Sequence, residues 1–183
     1  MQANIAIGLI ETNSIAKGIE ASDAMVKMAS VKLAKTQIIA RGKYVILISG
    51  PVGEVESALR AGKDIAGKSL VDEVIIRNVH SQVLEALEKR RPIEDLDALG
   101  VIETKEAIAT VRAADAAAKA ALVHILEVKI VVGGGKGIVT LTGEVGAVRS
   151  AIAAGISAVP ESMLVSHVVI AQADVQLLAT VGK

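Results

Sequence analysis

GLIETNSIAKGIEASDAMVKMASV, at residues 8–31, recurs in altered form as GVIETKEAIATVRAADAAAKAALV at residues 100–123. The two stretches align without a gap, and their identical pairs include Gly8/Gly100, Glu11/Glu103, Thr12/Thr104, Asp23/Asp115 and Lys27/Lys119. Their spacing of about 92 residues is far longer than the roughly 20–50 residues of solenoid repeats. The chain is therefore predicted to be a duplicated domain rather than an array of short repeats.

The duplication continues beyond these stretches. RGKYVILISGPVGEVESALRAG, at residues 41–62, aligns with GGKGIVTLTGEVGAVRSAIAAG at residues 134–155. Between the copies lies LEKRRPIEDLDA, at residues 87–98, which is charged and contains a proline, as is typical of a helix end followed by a linker. The expected organisation is a first domain at residues 1–90, a linker at 91–97 and a second domain at 98–183.

Each copy shows the same succession of hydrophobic patterns. In the first copy, apolar runs predict strands, and apolar residues at helical spacing predict helices, the first of them capped by Ser14. The predicted elements are a strand at 4–11, a helix at 14–29, a strand at 31–40, a tight turn at 40–43, a strand at 44–50, a helix at 53–67 and a strand at 69–79. The second copy repeats this order over residues 99–172. We therefore predict an α+β fold with two tandem ferredoxin-like βαββαβ domains.

The composition of the 183-residue chain excludes several functional classes. Lys plus Arg and Asp plus Glu both number 20, so no net charge attracts nucleic acid or an anionic membrane. Tyr44 is the only aromatic residue, which argues against recognition by base stacking. Cysteine is absent, so disulfides, thiolate metal sites and a cysteine nucleophile are excluded. The N-terminus has neither a basic signal-peptide region nor a run long enough to span a membrane, so we expect a soluble, cytoplasmic protein.

The segment GKDIAGKS, at residues 62–69, matches the phosphate-binding pattern G-x-x-x-x-G-K-[ST]. A phosphate-binding loop must follow a strand and begin a helix, whereas this segment ends the predicted helix at 53–67 and precedes a strand. The partial negative charge of a helix C-terminus favours Lys63 and Lys68 and disfavours phosphate. We therefore expect no nucleotide site here.

The other glycine-rich run, VVGGGKGIV at residues 131–139, lies between two predicted strands. It fits a hairpin turn, or a place where backbones approach closely at a symmetry axis. The three histidines, His80, His124 and His167, are scattered and form no pair on one helix face, so we expect no metal site and no cofactor. No catalytic arrangement of side chains emerges, and we expect that the protein is not an enzyme.

Taken together, the repeated segments and VDEVIIRNVHSQVLEAL, at residues 71–87, resemble bacterial microcompartment shell proteins of the tandem-domain, trimer-forming kind. The resemblance covers residues 4–179, and SIAKGIEASDAMVK, at residues 14–27, is especially similar to the propanediol-utilisation type. It implies a homotrimer that forms a flat pseudohexamer and tiles with other shell proteins around encapsulated enzymes, which it contacts only indirectly. It also implies a location in a bacterial microcompartment within the cytoplasm.

In that family the turn between the second and third strands lines a central pore. The resemblance therefore implies a pore lined by Ala40, Arg41 and Gly42 from one copy and Gly133, Gly134 and Gly135 from the other. Three Arg41 side chains near one axis would favour anions. Alternatively, Arg41 turns onto the face of the disc, where its charge stays in water. Propanediol-type relatives hold an iron-sulfur cluster through a pore cysteine, but this chain has Ala40 there, so the cluster is not expected.

In that family a lysine lies at the edge of the pseudohexamer and contacts the neighbouring pseudohexamer. It matches Lys27 and Lys119, and the resemblance implies the same place for both. The alternative is that each lysine forms a simple surface pair with the aspartate four residues earlier. The family's edge arginine matches Arg77, whereas the second copy has Ala171 and Gln172 at that place.

Two other functions remain open from the sequence. A trimeric ferredoxin-like regulatory protein that binds a nucleotide or small metabolite between subunits would have the same topology. Nucleotide hydrolysis at residues 62–69 ranks third.

Overall fold

The computed structural model describes residues 5–91, 93 and 96–179. The chain divides into two compact units, at residues 1–79 and 80–183. The first unit consists of β1 (Ile5–Thr12), α1 (Ile15–Met28), β2 (Lys32–Ile39), β3 (Lys43–Pro51), α2 (Val52–Ala66) and β4 (Leu70–Ile76). Its four strands form an antiparallel sheet in the order β2-β3-β1-β4.

The second unit begins with an extra helix and then repeats the architecture of the first. Its elements are α3 (Ser81–Glu88), β5 (Ala98–Thr104), α4 (Ala107–Ala120), β6 (His124–Lys129), β7 (Gly137–Gly143), α5 (Val145–Ser157) and β8 (Leu164–Ile170). The sheet order is β6-β7-β5-β8, which is the order of the first sheet. The predicted α+β fold with two βαββαβ domains is confirmed.

Local chemistry explains where the helices begin and end. Ser14 caps α1 by accepting a hydrogen bond from the Lys17 backbone N–H at 3.3 Å. Glu144 caps α5 by accepting from the backbone N–H groups of Gly146 and Ala147, at 2.8 and 3.1 Å. These two bonds stabilise the carboxylate and lower the pKa of Glu144 below its ordinary value. Both caps satisfy backbone donors that a helix N-terminus otherwise leaves unpaired.

The two units fill one core position in opposite ways. In the first unit, a Cβ at Gly18 would lie 2.4 Å from Cδ1 of Tyr44, so the tyrosine ring occupies the space above that glycine. In the second unit, a Cβ at Gly137 would lie 1.8 Å from Oγ1 of Thr110. By the alignment of the copies, Thr110 replaces Gly18 and Gly137 replaces Tyr44. The large and small residues have exchanged elements, and the close packing is preserved.

Helix α3 packs against β6 and α4 in the second unit. The predicted boundaries place it in the first domain, at residues 1–90, whereas in the structure it makes polar contacts with residues beyond 98. The His80 backbone N–H donates to Asp115 Oδ1 at 2.9 Å, and the Gln82 side chain bonds to the edge of β6. These tertiary contacts fix the helix on the second unit.

Candidate functional site

The turn between β2 and β3, Ala40–Gly42, has a left-handed backbone at two residues. Arg41 lies at φ 64°, ψ 27°, and Gly42 lies at φ 73°. A residue with a side chain pays about 1–2 kcal/mol for this conformation, whereas glycine adopts it freely. Arg41 is exposed. We call this segment the first turn.

The equivalent segment between β6 and β7, Gly133–Gly135, is the second turn. Gly134 lies at φ 77° and Gly135 at φ 84°, so the backbone matches that of the first turn. It is closed by hydrogen bonds from the Val132 N–H to the Lys136 carbonyl, at 2.7 Å, and from the Gly135 N–H to the Val132 carbonyl, at 3.1 Å. The two turns therefore share a conformation, and the Arg41 guanidinium is the main chemical difference between them.

A lysine-glutamate pair anchors the strand that leaves each turn. Lys43 Nζ lies 2.6 Å from Glu11 Oε1, and the Glu11 side chain is only 1% exposed. Lys136 Nζ lies 2.7 Å from Glu103 Oε1, with that glutamate 30% exposed. These pairs were not predicted from the sequence, although both the lysine and the glutamate are identical between the copies. Their recurrence was the signal that could have revealed them.

The candidate edge lysines both lie in the last turn of the first helix of their βαββαβ repeat. Lys27 Nζ contacts Asp23 Oδ2 and Lys119 Nζ contacts Asp115 Oδ2, each at 2.6 Å. Within the chain, each lysine thus pairs with the aspartate four residues earlier. Asp115 also accepts the His80 N–H and is 9% exposed, whereas Asp23 is 59% exposed.

The other two candidate edge residues follow the last strands of the sheets. Arg77 pairs with Glu56, with Nη2 2.6 Å and Nε 3.0 Å from the same carboxylate oxygen. Gln172 lies in the turn after β8 and is exposed. The first repeat therefore ends with an arginine where the second has Ala171 and Gln172.

The segment at residues 62–69 lies at the C-terminal end of α2, as the sequence predicted. Gly67 ends the helix at φ 50°, and its N–H donates to the Lys63 carbonyl. Lys63 Nζ lies 2.6 Å from Glu73 Oε1 on β4. A phosphate would meet helix carbonyls here instead of free N–H groups.

Within the described residues, no three His, Asp or Glu side chains come together as a metal site. None of the helices described for this chain has the length and apolar character needed to cross a membrane.

A family model described as the BMC domain matches residues 6–79 and again residues 98–173. The bacterial microcompartment shell protein PduT of Citrobacter freundii is 39% identical over 148 residues, which are 80% of this chain and 80% of PduT. The carboxysome shell protein CsoS1C of Halothiobacillus neapolitanus is 43% identical over 88 residues, which are 46% of this chain and 90% of CsoS1C.

Two solved structures show the same architecture. A microcompartment protein from Desulfitobacterium hafniense DCB superimposes with a TM-score of 0.91 at 46% identity, over 97% of this chain and 99% of that one. The fused permuted hexameric shell protein MSM0275 from the RMM microcompartment superimposes with a TM-score of 0.64 at 26% identity, over 86% of this chain and 85% of that one.

Proposed function

The chain belongs to the BMC-domain family and is a microcompartment shell protein of the tandem-domain type, and we propose that three copies form a pseudohexameric tile with a central, anion-selective pore. The tile would associate with other shell proteins around enzymes that it contacts only indirectly. Its role is structural, with selective passage of metabolites, and catalysis is left to the enclosed enzymes.

Duplication supports the trimer. Two similar but unequal units per chain can close a ring by head-to-tail contacts, which gives true threefold and approximate sixfold symmetry. Both units have the same sheet order and the two helices of the βαββαβ repeat, to which the second unit adds α3, so six nearly equivalent positions result from three chains. One of the solved relatives, at 26% identity, is itself described as a hexameric shell protein.

The observation that carries the pore is the shared conformation of the first and second turns. If the turns face the axis, three Arg41 side chains alternate with three Gly134 residues that have no side chain. The alternation concentrates positive charge at three points and leaves space between them. Rings of Arg or Lys favour anions in pores.

The edge lysines support tiling. Lys27 and Lys119 occupy equivalent places, so a pseudohexamer would present six of them around its rim. Arg77 would add a second cation at three of the six positions, whereas Ala171 and Gln172 would leave the other three neutral. We therefore propose that alternate edges of the tile differ in the strength of their contacts.

Selectivity measured across protein layers tests the pore. In Arg41→Gly the charge is lost. The backbone strain at φ 64° is also lost, because glycine adopts this conformation freely. We expect layers of this variant to lose anion preference, seen as a shift of the reversal potential under a salt gradient. Arg60→Ala is the matched control, because Arg60 is an exposed arginine on α2. Equal selectivity in Arg41→Gly and wild type would remove Arg41 from the pore.

A further inference from the structure

The first unit leaves an apolar surface open on α1 and β2, which we call the open surface. Its large aliphatic side chains are Ile19, Val26 and Leu33, with exposed fractions of 55%, 40% and 41%. The aligned residues of the second unit, Val111, Ala118 and Ile125, are 0%, 6% and 0% exposed. The duplicated surface is thus covered in one unit and uncovered in the other.

In the second unit α3 lies on this surface, and Gln82 holds it there. Its Nε2 donates to the Val123 carbonyl at 3.0 Å, and its Oε1 accepts from the Ile125 N–H at 2.9 Å. One side-chain amide thereby satisfies a donor and an acceptor on the outer edge of β6. The two bonds fix the register of the helix on the strand.

The edge of β2 repeats the edge of β6. β2 begins with Lys32 paired to Ser49, and β6 begins with His124 paired to Thr142, the aligned residues. In both strands the register shifts at the same place, just after Leu33 and just after Ile125. The counterparts of the two groups that Gln82 binds are therefore the Val31 carbonyl and the Leu33 N–H.

The segment after β8 repeats the segment that carries Gln82. HSQVL, at residues 80–84, aligns with DVQLL, at residues 174–178, so Gln176 is the counterpart of Gln82. The same bond precedes both segments: the Val79 N–H donates to the Ile5 carbonyl at 3.0 Å, and the Ala173 N–H donates to the Asp97 carbonyl at 3.1 Å.

Both segments also begin with the same local turn. The Gln82 N–H donates to His80 Nδ1 at 3.4 Å, and the Gln176 N–H donates to Asp174 Oδ1 at 2.8 Å. Leu177 packs with the apolar cluster of Leu99 and Ala173 in its own unit, while Gln176 is exposed. The start of the segment is thus held on its own unit, and the side-chain amide of Gln176 is available to a partner.

We propose that a second copy of this chain covers the open surface with its residues 174–179, and that Gln176 of that copy bonds to the Val31 carbonyl and the Leu33 N–H. Within the chain, the segment that follows the first unit covers the second unit. In a head-to-tail ring, the segment that follows the second unit covers the first unit of the next chain. This inference rests on the proposed trimer. It identifies the contact at each boundary between neighbouring chains, which we call the seam.

The absence of cysteine from the sequence permits a clean cross-linking test. A Gln176→Cys chain and a differently tagged Leu33→Cys chain are assembled together and treated with a short bismaleimide. We expect a covalent pair containing both tags. A Ser150→Cys chain replaces Leu33→Cys as control, because Ser150 is exposed on α5, and it should give no such pair. A single chain that carries Cys at both 176 and 33 should end as a covalent trimer and nothing larger.

The outcomes separate this inference from the proposed function. A trimer by native mass without the 176–33 cross-link would overturn the seam contact and leave the tile intact. A doubly substituted chain that cross-links only within itself would overturn the assignment to a second copy. A protein that stays monomeric would refute both proposals.

A second variant measures the hydrogen bonds. Gln176→Ala removes both bonds from each seam, so we expect the concentration at which the trimer dissociates to rise about tenfold or more. Ser150→Ala should leave that concentration unchanged. An equal dissociation midpoint in Gln176→Ala and wild type would refute the role of the amide.

Discussion

Replacement of Gly18 by alanine should destabilise the first unit even though alanine is the better helix former. The new Cβ would lie 2.4 Å from Tyr44 Cδ1 and 2.9 Å from both Tyr44 Cβ and Thr12 Oγ1. Because Tyr44 Cβ is tied to the backbone of β3, the ring cannot swing away without a shift of the strand. Overpacking of this kind costs about 1–3 kcal/mol, and the helix propensity of alanine returns about 1 kcal/mol. We expect a net loss of up to about 2 kcal/mol in the free energy of unfolding.

The second unit supplies the compensating change. There Thr110 bonds to Thr104 Oγ1 at 2.7 Å and donates to the Glu106 carbonyl at 2.9 Å, above Gly137. Placing the same threonine and glycine at the aligned positions of the first unit gives the double variant Gly18→Thr/Tyr44→Gly. Each single change should be destabilising, and the pair should be more stable than their sum by about 1–2 kcal/mol, within the range known for contacting residues.

Urea unfolding followed by circular dichroism, at one protein concentration for all variants, measures these differences. Gly53→Ala is the control, since a Cβ at Gly53 meets no atom within 4 Å and the site is helical. It should be neutral or up to about 1 kcal/mol more stable. The reasoning fails if Gly18→Ala is as stable as Gly53→Ala, or if the two changes at positions 18 and 44 are simply additive.

Three further predictions concern the turns and a helix cap. Lys43→Met should cost about 3 kcal/mol because the partner Glu11 is buried, and Lys136→Met should cost less because its partner is partly exposed; urea unfolding compares them. Gly134→Arg should raise anion selectivity across protein layers by adding charge to the second turn, at a cost of about 1 kcal/mol for φ 77°. Glu144→Ala should lower the melting temperature at neutral pH. The difference from wild type should decrease as the pH falls below the usual glutamate range, and it should vanish below the lowered pKa of Glu144, because the wild-type carboxylate is then protonated.

The duplicated pattern was sufficient to predict both sheets and the two turns. Apolar periodicity and glycine positions are local signals, and the same signals occur twice, about 92 residues apart. The exchange of Gly18 and Tyr44 for Thr110 and Gly137 could also have been predicted from the alignment. From the first copy to the second, the residue on the helix becomes larger and the residue on the strand becomes smaller. Such a prediction requires a comparison of two positions at once.

The position of α3 could not be predicted in the same way. Its helical pattern is local, but its place on β6 depends on Gln82 and His80, which bond to residues more than 30 positions later. A polar side chain on a surface helix gives no indication of which distant backbone it will bind. The Lys43–Glu11 pair was missed for a similar reason, since its partners are separated by two elements of the fold.

Native mass spectrometry of the purified protein at micromolar concentration tests whether three copies of the two-unit chain assemble into a shell tile. We predict a species with the mass of three chains of 18.8 kDa each, which persists without any added partner. A spectrum dominated by the single 18.8 kDa chain would contradict the account.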